Sequence, residues 1–138
     1  MKTTLDVLTI LYQLLLSSSM PSEITGKVRK GERPAGSTKE DIVVNTLPIQ
    51  NDNLQRTVAN VNIYVPSLVI SENGIQTEKP DYTRLDELVD MILPILKDVR
   101  EKRDYYLEWQ QVSQPIKDTE SKSYFINIRV DFYAFNVN

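Results

Sequence analysis

The side chains best suited to chemistry in this sequence fall into three groups. The first is acidic: Asp86, Glu87 and Asp90. Carboxylates so close together serve acid-base catalysis or hold magnesium when burial or a neighbouring charge shifts their pKa. Here Thr83, Glu87, Asp90, Pro94, Lys97 and Glu101 recur at alternating spacings of four and three, the polar stripe of an α-helix. Glu87 and Asp90 are therefore expected on a solvated face, where unshifted carboxylates are poor acids and bases near neutral pH. Asp52 sits between Asn51 and Asn53, but the glycine and distal glutamate of a calcium loop are missing.

The second group is basic. Between Lys27 and Lys39 the chain places Lys27, Arg29, Lys30, Arg33 and Lys39 against Glu32 alone, a local charge of +4 in a chain of −3 overall. Such a segment can pair with DNA phosphates or with an acidic protein surface, or it can be a solvated, mobile hairpin loop. Gly31, Pro34, Gly36 and Ser37 favour mobility. It is not a phosphate-cradling loop, because Gly26-Lys27 is followed by Val28 rather than by Ser or Thr. The third group is aromatic: Tyr105, Tyr106, Trp109, Tyr124, Phe125, Phe132, Tyr133 and Phe135. Residues of these types stack bases, carry interface energy or simply pack across strands.

What is missing narrows the chemistry further. The sequence has no cysteine and no histidine. Thiol nucleophiles, disulfides, zinc-thiolate sites and iron-sulfur clusters are excluded, and so is the commonest general base. No cofactor or metal site is expected, and the sequence predicts no enzyme. An acidic pI near 5.0 argues against a nucleic-acid-binding surface over the whole protein.

The elements that must position these groups are legible from periodicity. At 138 residues, 41% hydrophobic and 25% charged, the chain has the size and composition of one globular domain. Lys2, Asp6, Thr9, Gln13 and Ser17 draw a polar stripe, which predicts a folded helix from Thr4 to about Ser17 rather than a cleaved signal. Its expected cap is Thr3 or Thr4, and its expected buried face is Leu5, Leu8, Leu11, Tyr12 and Leu15. No run approaches the ~20 apolar residues that cross a bilayer, so no membrane partner is expected.

Three strands follow, at Ile24 to about Lys30, Asp41 to about Ile49, and Gln55 to Val65, the last two forming an antiparallel hairpin. In the third, Thr57, Ala59, Val61, Ile63 and Val65 alternate with Val58, Asn60, Asn62 and Tyr64. Between Pro66 and Pro80, the Asn73-Gly74 pair flanked by Leu68, Val69, Ile70 and Ile75 predicts a projecting two-stranded arm. Leu68, Ile70, Asn73, Gly74 and Ile75 are its candidate subunit contacts. A second helix is expected from Asp81 or Thr83 to about Arg103, bent at Pro94, with Tyr82, Leu85, Leu88, Val89, Ile92, Ile95, Leu96 and Val99 on one face against the core. A closing hairpin, Tyr105 to about Ile116 and Ser123 to Phe135, completes the chain. In its second strand Ile126, Ile128, Val130, Phe132 and Ala134 face the core, and Asn127, Arg129, Asp131 and Tyr133 face solvent or a partner. The predicted fold is α+β, an antiparallel sheet of about five strands packed by two helices, in the order α-β-β-β-arm-α-β-β.

This order, with the loop Gly31-Glu32-Arg33-Pro34-Ala35-Gly36 followed by Asp41-Ile42-Val43-Val44, resembles the tail-terminator, or tail-completion, proteins of long-tailed bacteriophages and prophages. The resemblance implies a structural protein of the virion, assembled in the host cytoplasm. It implies partners of three kinds: further copies in a ring, commonly a hexamer; the tail tube and head connector; and DNA passing through the lumen. The Asn-Gly arm matches no fixed feature of that family.

Overall fold

The computed structural model describes residues 1–101 and 104–135. Helix α1 (Thr4–Leu16) opens on Thr3, whose hydroxyl accepts from the Asp6 N–H while the Asp6 carboxylate accepts from the Thr3 N–H. This reciprocal pair satisfies two N–H groups that would otherwise lack partners at the helix start. Beyond α1 comes a single turn, α2 (Met20–Glu23), with Pro21 at its start, where a missing N–H costs nothing.

The sheet strands are β1 (Val28–Lys30), β2 (Asp41–Thr46) and β3 (Leu54–Pro66). The arm is β4 (Leu68–Glu72) and β5 (Ile75–Lys79). Helix α3 (Tyr82–Ile92) continues as a tighter 3-10 turn over Leu93–Leu96. Strands β6 (Val99–Glu101), β7 (Tyr105–Val112), β8 (Ile116–Lys117) and β9 (Ser123–Phe135) follow. The main sheet runs β1-β2-β3-β9-β7-β6, with β8 added to β9, and the arm is a separate two-stranded sheet.

The α+β architecture, the β2–β3 hairpin and the arm agree with the sequence reading. Several details differ. Among the described residues the sheet has seven strands rather than about five. Strand β1 is shorter than expected, since the chain bends through residues 24–26 before it becomes extended, and it pairs with β2 in parallel, Val28 opposite Ile42 and Lys30 opposite Val44. The segment after Lys30 is therefore not a hairpin loop. It doubles back to the start of β2, where Arg33 binds the Asp41 carboxylate.

A further difference lies at Pro94. Without an N–H it cannot continue the α-helical ladder, so the chain tightens, becomes extended at Lys97 and turns through the left-handed conformation at Asp98 (φ 51°). The stretch from Val99 becomes a strand instead of more helix; Lys102 and Arg103, the expected helix end, lie outside the described residues.

Both helices pack on one face of the sheet. Val7, Leu11 and Leu15 of α1 and Leu85, Leu88, Val89 and Ile92 of α3 meet Ile42, Val44, Ala59, Val61, Ile63, Ile128, Val130 and Phe132. The phase of α1 differs from expectation: Leu5 is exposed and Val7 buried, because leucines surround this helix and leave its apolar side poorly defined. Gln55, also on the core face, is buried with its amide fully used. It accepts from the Lys2 N–H and donates to the carbonyls of Lys2 and Gln50, clamping the start of the chain to β3.

Candidate functional site

The basic segment is organised around one carboxylate. The Asp41 side chain is fully buried. Its Oδ1 accepts from the Lys27 N–H at 3.0 Å and Arg29 Nε at 3.1 Å, and its Oδ2 from Arg33 Nε at 3.1 Å and the Ser37 hydroxyl at 2.8 Å. Burial by itself would push this carboxyl up, but the four donors outweigh it and hold the group below the usual carboxylate range. Arg33 is nearly as buried, at 7% side-chain exposure. It also donates to the carbonyls of Ser37 and Lys39 and to the Ser121 hydroxyl, lies 3.6 Å from Asp118, and covers the Tyr64 ring at 4.4 Å. Gly26 makes this approach possible: a Cβ there would fall 2.2 Å from the Glu40 carbonyl and 2.3 Å from Asp41 Oδ1.

The expected cations therefore divide. Arg29 and Arg33 are internal counterions of Asp41, and Lys30 donates to the Thr9 hydroxyl over the Tyr12 ring. Lys27 and Lys39 are exposed. The neighbouring Glu40 turns the other way and takes both Nε and Nη2 of Arg84, at 2.6 and 2.9 Å, while Arg84 also reaches the Glu23 carbonyl and Glu87. Consecutive residues thus tie the basic loop to one end of the sheet and α3 to the start of β2. Sequence reasoning found the basic loop but missed this Glu40-Asp41 pivot; two adjacent acids opening an apolar strand, where an expected core begins, were its only local sign.

The sheet face opposite the helices carries Asn127, Arg129, Asp131 and Tyr133 of β9, as the alternation predicts, beside Asn45, Asn60 and Asn62. The carboxamides form a ladder across three strands: Asn60 Nδ2 donates to Asn45 Oδ1 at 3.0 Å, and Asn127 Nδ2 donates to Asn60 Oδ1 at 3.0 Å and Asn62 Oδ1 at 2.7 Å. Three hydrogen bonds thus tie the four carboxamides into a polar floor across β2, β3 and β9.

Toward the far end of β3 and β9 the same face becomes apolar. Leu54, Tyr105, Tyr106, Tyr133 and Phe135 line a cavity of about 470 Å³, with Arg100 at its rim. Arg100 pairs with Asp98 at 2.9 Å and lies 4.9 Å over the Tyr106 ring. Tyr106 donates its hydroxyl to Glu108, which pushes the phenol up to about 12 and keeps it protonated at neutral pH. It is no general base.

At the opposite end of β3 the arm departs. Asn73 (φ 53°) and Gly74 (φ 76°) form its tight turn, the geometry their sequence signalled. Leu68 pairs with Lys79, Ile70 with Thr77 and Glu72 with Ile75, so Leu68, Ile70 and Ile75 share one face of the ribbon. They are 47%, 37% and 68% exposed. The other face holds Val69, Ser71, Gln76 and Glu78, and Glu78 accepts an ion pair from Lys117 of β8. Among the described residues, no group of three or more His, Cys, Asp and Glu side chains is placed to hold a metal, and no helix is long and apolar enough to cross a membrane. No protein-family model matches the chain, and no curated protein sequence matches it.

Proposed function

We propose that this chain is a structural assembly protein of the phage tail-terminator or head-tail joining type, one protomer of a ring that caps a tail tube and receives the head connector. The tail-terminator part of the reading rests on the order of elements and the Gly31-to-Gly36 loop, and the observation that carries its assembly part is the arm. A two-stranded ribbon is marginally stable by itself, and this one presents Leu68, Ile70 and Ile75 together, exposed, on one face. Apolar residues grouped on a projecting element are costly in water and gain when a partner covers them. The Asn-floored sheet face, being polar, suits a second and wetter contact. In this reading the ring stands in the virion, and exposed Lys27 and Lys39 are the cations left to face lumen DNA or an acidic neighbour.

The test is mass in solution, by light scattering during size-exclusion chromatography over a range of concentrations. The intact protein is expected at several times its 15.9 kDa protomer mass. Leu68→Ser, Ile70→Ser and Ile75→Ser combined are expected to return it to the protomer while leaving its thermal unfolding unchanged, since these side chains lie outside the core. A protomer mass for the intact protein at every concentration, with no binding to tail tubes, would remove the ring reading and favour a monomeric adaptor.

A further inference from the structure

We infer that the apolar face of the arm docks into the aromatic cavity of a second copy of this chain, so that one protomer's Leu68, Ile70 and Ile75 meet the neighbour's Leu54, Tyr133 and Phe135. This rests on the self-assembly reading and specifies its contact.

The two surfaces match in kind. The cavity is lined by a leucine and aromatic rings, and its volume of about 470 Å³ has room for aliphatic side chains of the size that the arm presents. The charges match as well. Glu72 closes the arm's apolar face beside Ile75, and Arg100 stands at the rim of the cavity. Arg100 gives its Nε to Asp98, which leaves its two terminal Nη groups to meet a carboxylate at the tip of the arm. Lys79, on the same arm face opposite Leu68, lies at the far end from Glu72, an arrangement that fixes orientation.

The two surfaces also cannot meet within one molecule. The arm leaves the sheet beside Pro66, which pairs with Ser123, whereas the cavity lies at the other end of the same strand pair, where Leu54 pairs with Phe135. Strand β3 is 13 residues long. At about 3.3 Å per residue its ends are about 40 Å apart, while a ribbon of five-residue strands reaches only about 17 Å. An arm that fills this cavity must come from another protomer. Because the arm and the cavity are different surfaces, each protomer gives one and receives one, a head-to-tail contact that propagates and closes into a ring if the rotation allows.

The absence of native cysteine makes the contact directly testable. Ile75→Cys with Leu54→Cys, and separately Ile70→Cys with Phe135→Cys, place thiols on both surfaces at exposed positions. Each double variant, oxidised at a concentration where the intact protein is oligomeric, is expected to give a ladder of covalent oligomers on non-reducing gels. Equimolar mixtures of the two single variants of a pair are expected to stop at the dimer. Glu72→Arg is expected to weaken assembly at least tenfold, and Glu72→Arg with Arg100→Glu to restore it. An oligomer by light scattering in which neither pair gives a ladder overturns the docking and leaves self-assembly standing. A monomer at every concentration, with no binding to tail tubes, overturns both.

Discussion

Asp41→Ala is expected to destabilise the protein by about 3–5 kcal/mol, the cost of breaking a buried ion pair from one side. Arg33 would keep its place at 7% side-chain exposure with its main counterion gone, and the Lys27 N–H and Ser37 hydroxyl would lose their acceptor. For a domain of this size, the melting temperature should fall by roughly 10 °C. Asp41→Asn keeps the shape but removes the charge, and it separates packing from electrostatics. Because Asp41 titrates lower in the folded protein than in the unfolded chain, its contribution is fully present above the ordinary carboxylate pKa and is lost as pH falls through the depressed folded value. The stability gap between the native protein and Asp41→Asn should therefore be widest near neutral pH and should close below about pH 4. The Asp6 carboxylate, lowered chiefly by the backbone N–H of Thr3, shifts the same way but is common to both proteins and cancels in the difference. Thermal unfolding at pH 7, 4 and 3 measures it. A gap that stays constant with pH would mean that Asp41 matters by shape alone.

Arg84 supplies the second large effect. Arg84→Met takes from the Glu40 carboxylate, at 10% side-chain exposure, both guanidinium donors and leaves it only the long 3.4 Å hydrogen bond from the Thr25 N–H. A cost of about 2–3 kcal/mol is expected, less than for Asp41 because Arg84 itself is 25% exposed and water can reach the gap. The informative variant is the double one. Glu40→Leu with Arg84→Met removes both charges at once, so neither is left without its counterion, and should cost less than Arg84→Met alone. Denaturant unfolding of the four proteins of this cycle gives the coupling energy. Equal losses in the single and double variants would show that the hydrogen bond from Arg84 to the Glu23 carbonyl carries the stabilisation instead.

The contrast between these residues and the strands they join shows what local sequence can disclose. Strands β3 and β9 were readable because each has one apolar and one polar face, and a period of two admits one burial pattern. The arm was readable because Asn73 and Gly74 tolerate the left-handed backbone of its turn. Strand β1 was not readable as a parallel partner, since three residues carry no period and direction is decided by where the following loop is anchored. That anchor is Arg33, whose further partners Asp118 and Ser121 are remote in the chain. The spacing of charges announced a basic loop but not that a buried acid consumes much of its charge. The helix after Asp81 was legible only as far as Pro94: the apolar spacing continues through Ile95, Leu96 and Val99, but a strand edge and a helix face bury such residues equally well. The aromatic cavity escaped because Leu54 and Phe135 come together only through the register of β3 and β9.

That same register has a consequence for how the protein reaches its fold. Strand β9 lies at the centre of the sheet, held by β3 on one side and by β7 and β8 on the other, yet it is the last of the sheet strands in chain order. Until it arrives, β2 and β3 form a ribbon with an open edge, and β7 lacks its main partner. Loop closure over the arm and α3 must be accomplished before any β3–β9 pair rewards it. Folding is therefore expected on the millisecond-to-second scale rather than in microseconds. Trp109, set on β7 opposite Val130, offers a stopped-flow fluorescence signal for that closing step. The unsatisfied edge of β3 during this interval is a template for pairing with another chain, so refolding yield should decline as protein concentration rises.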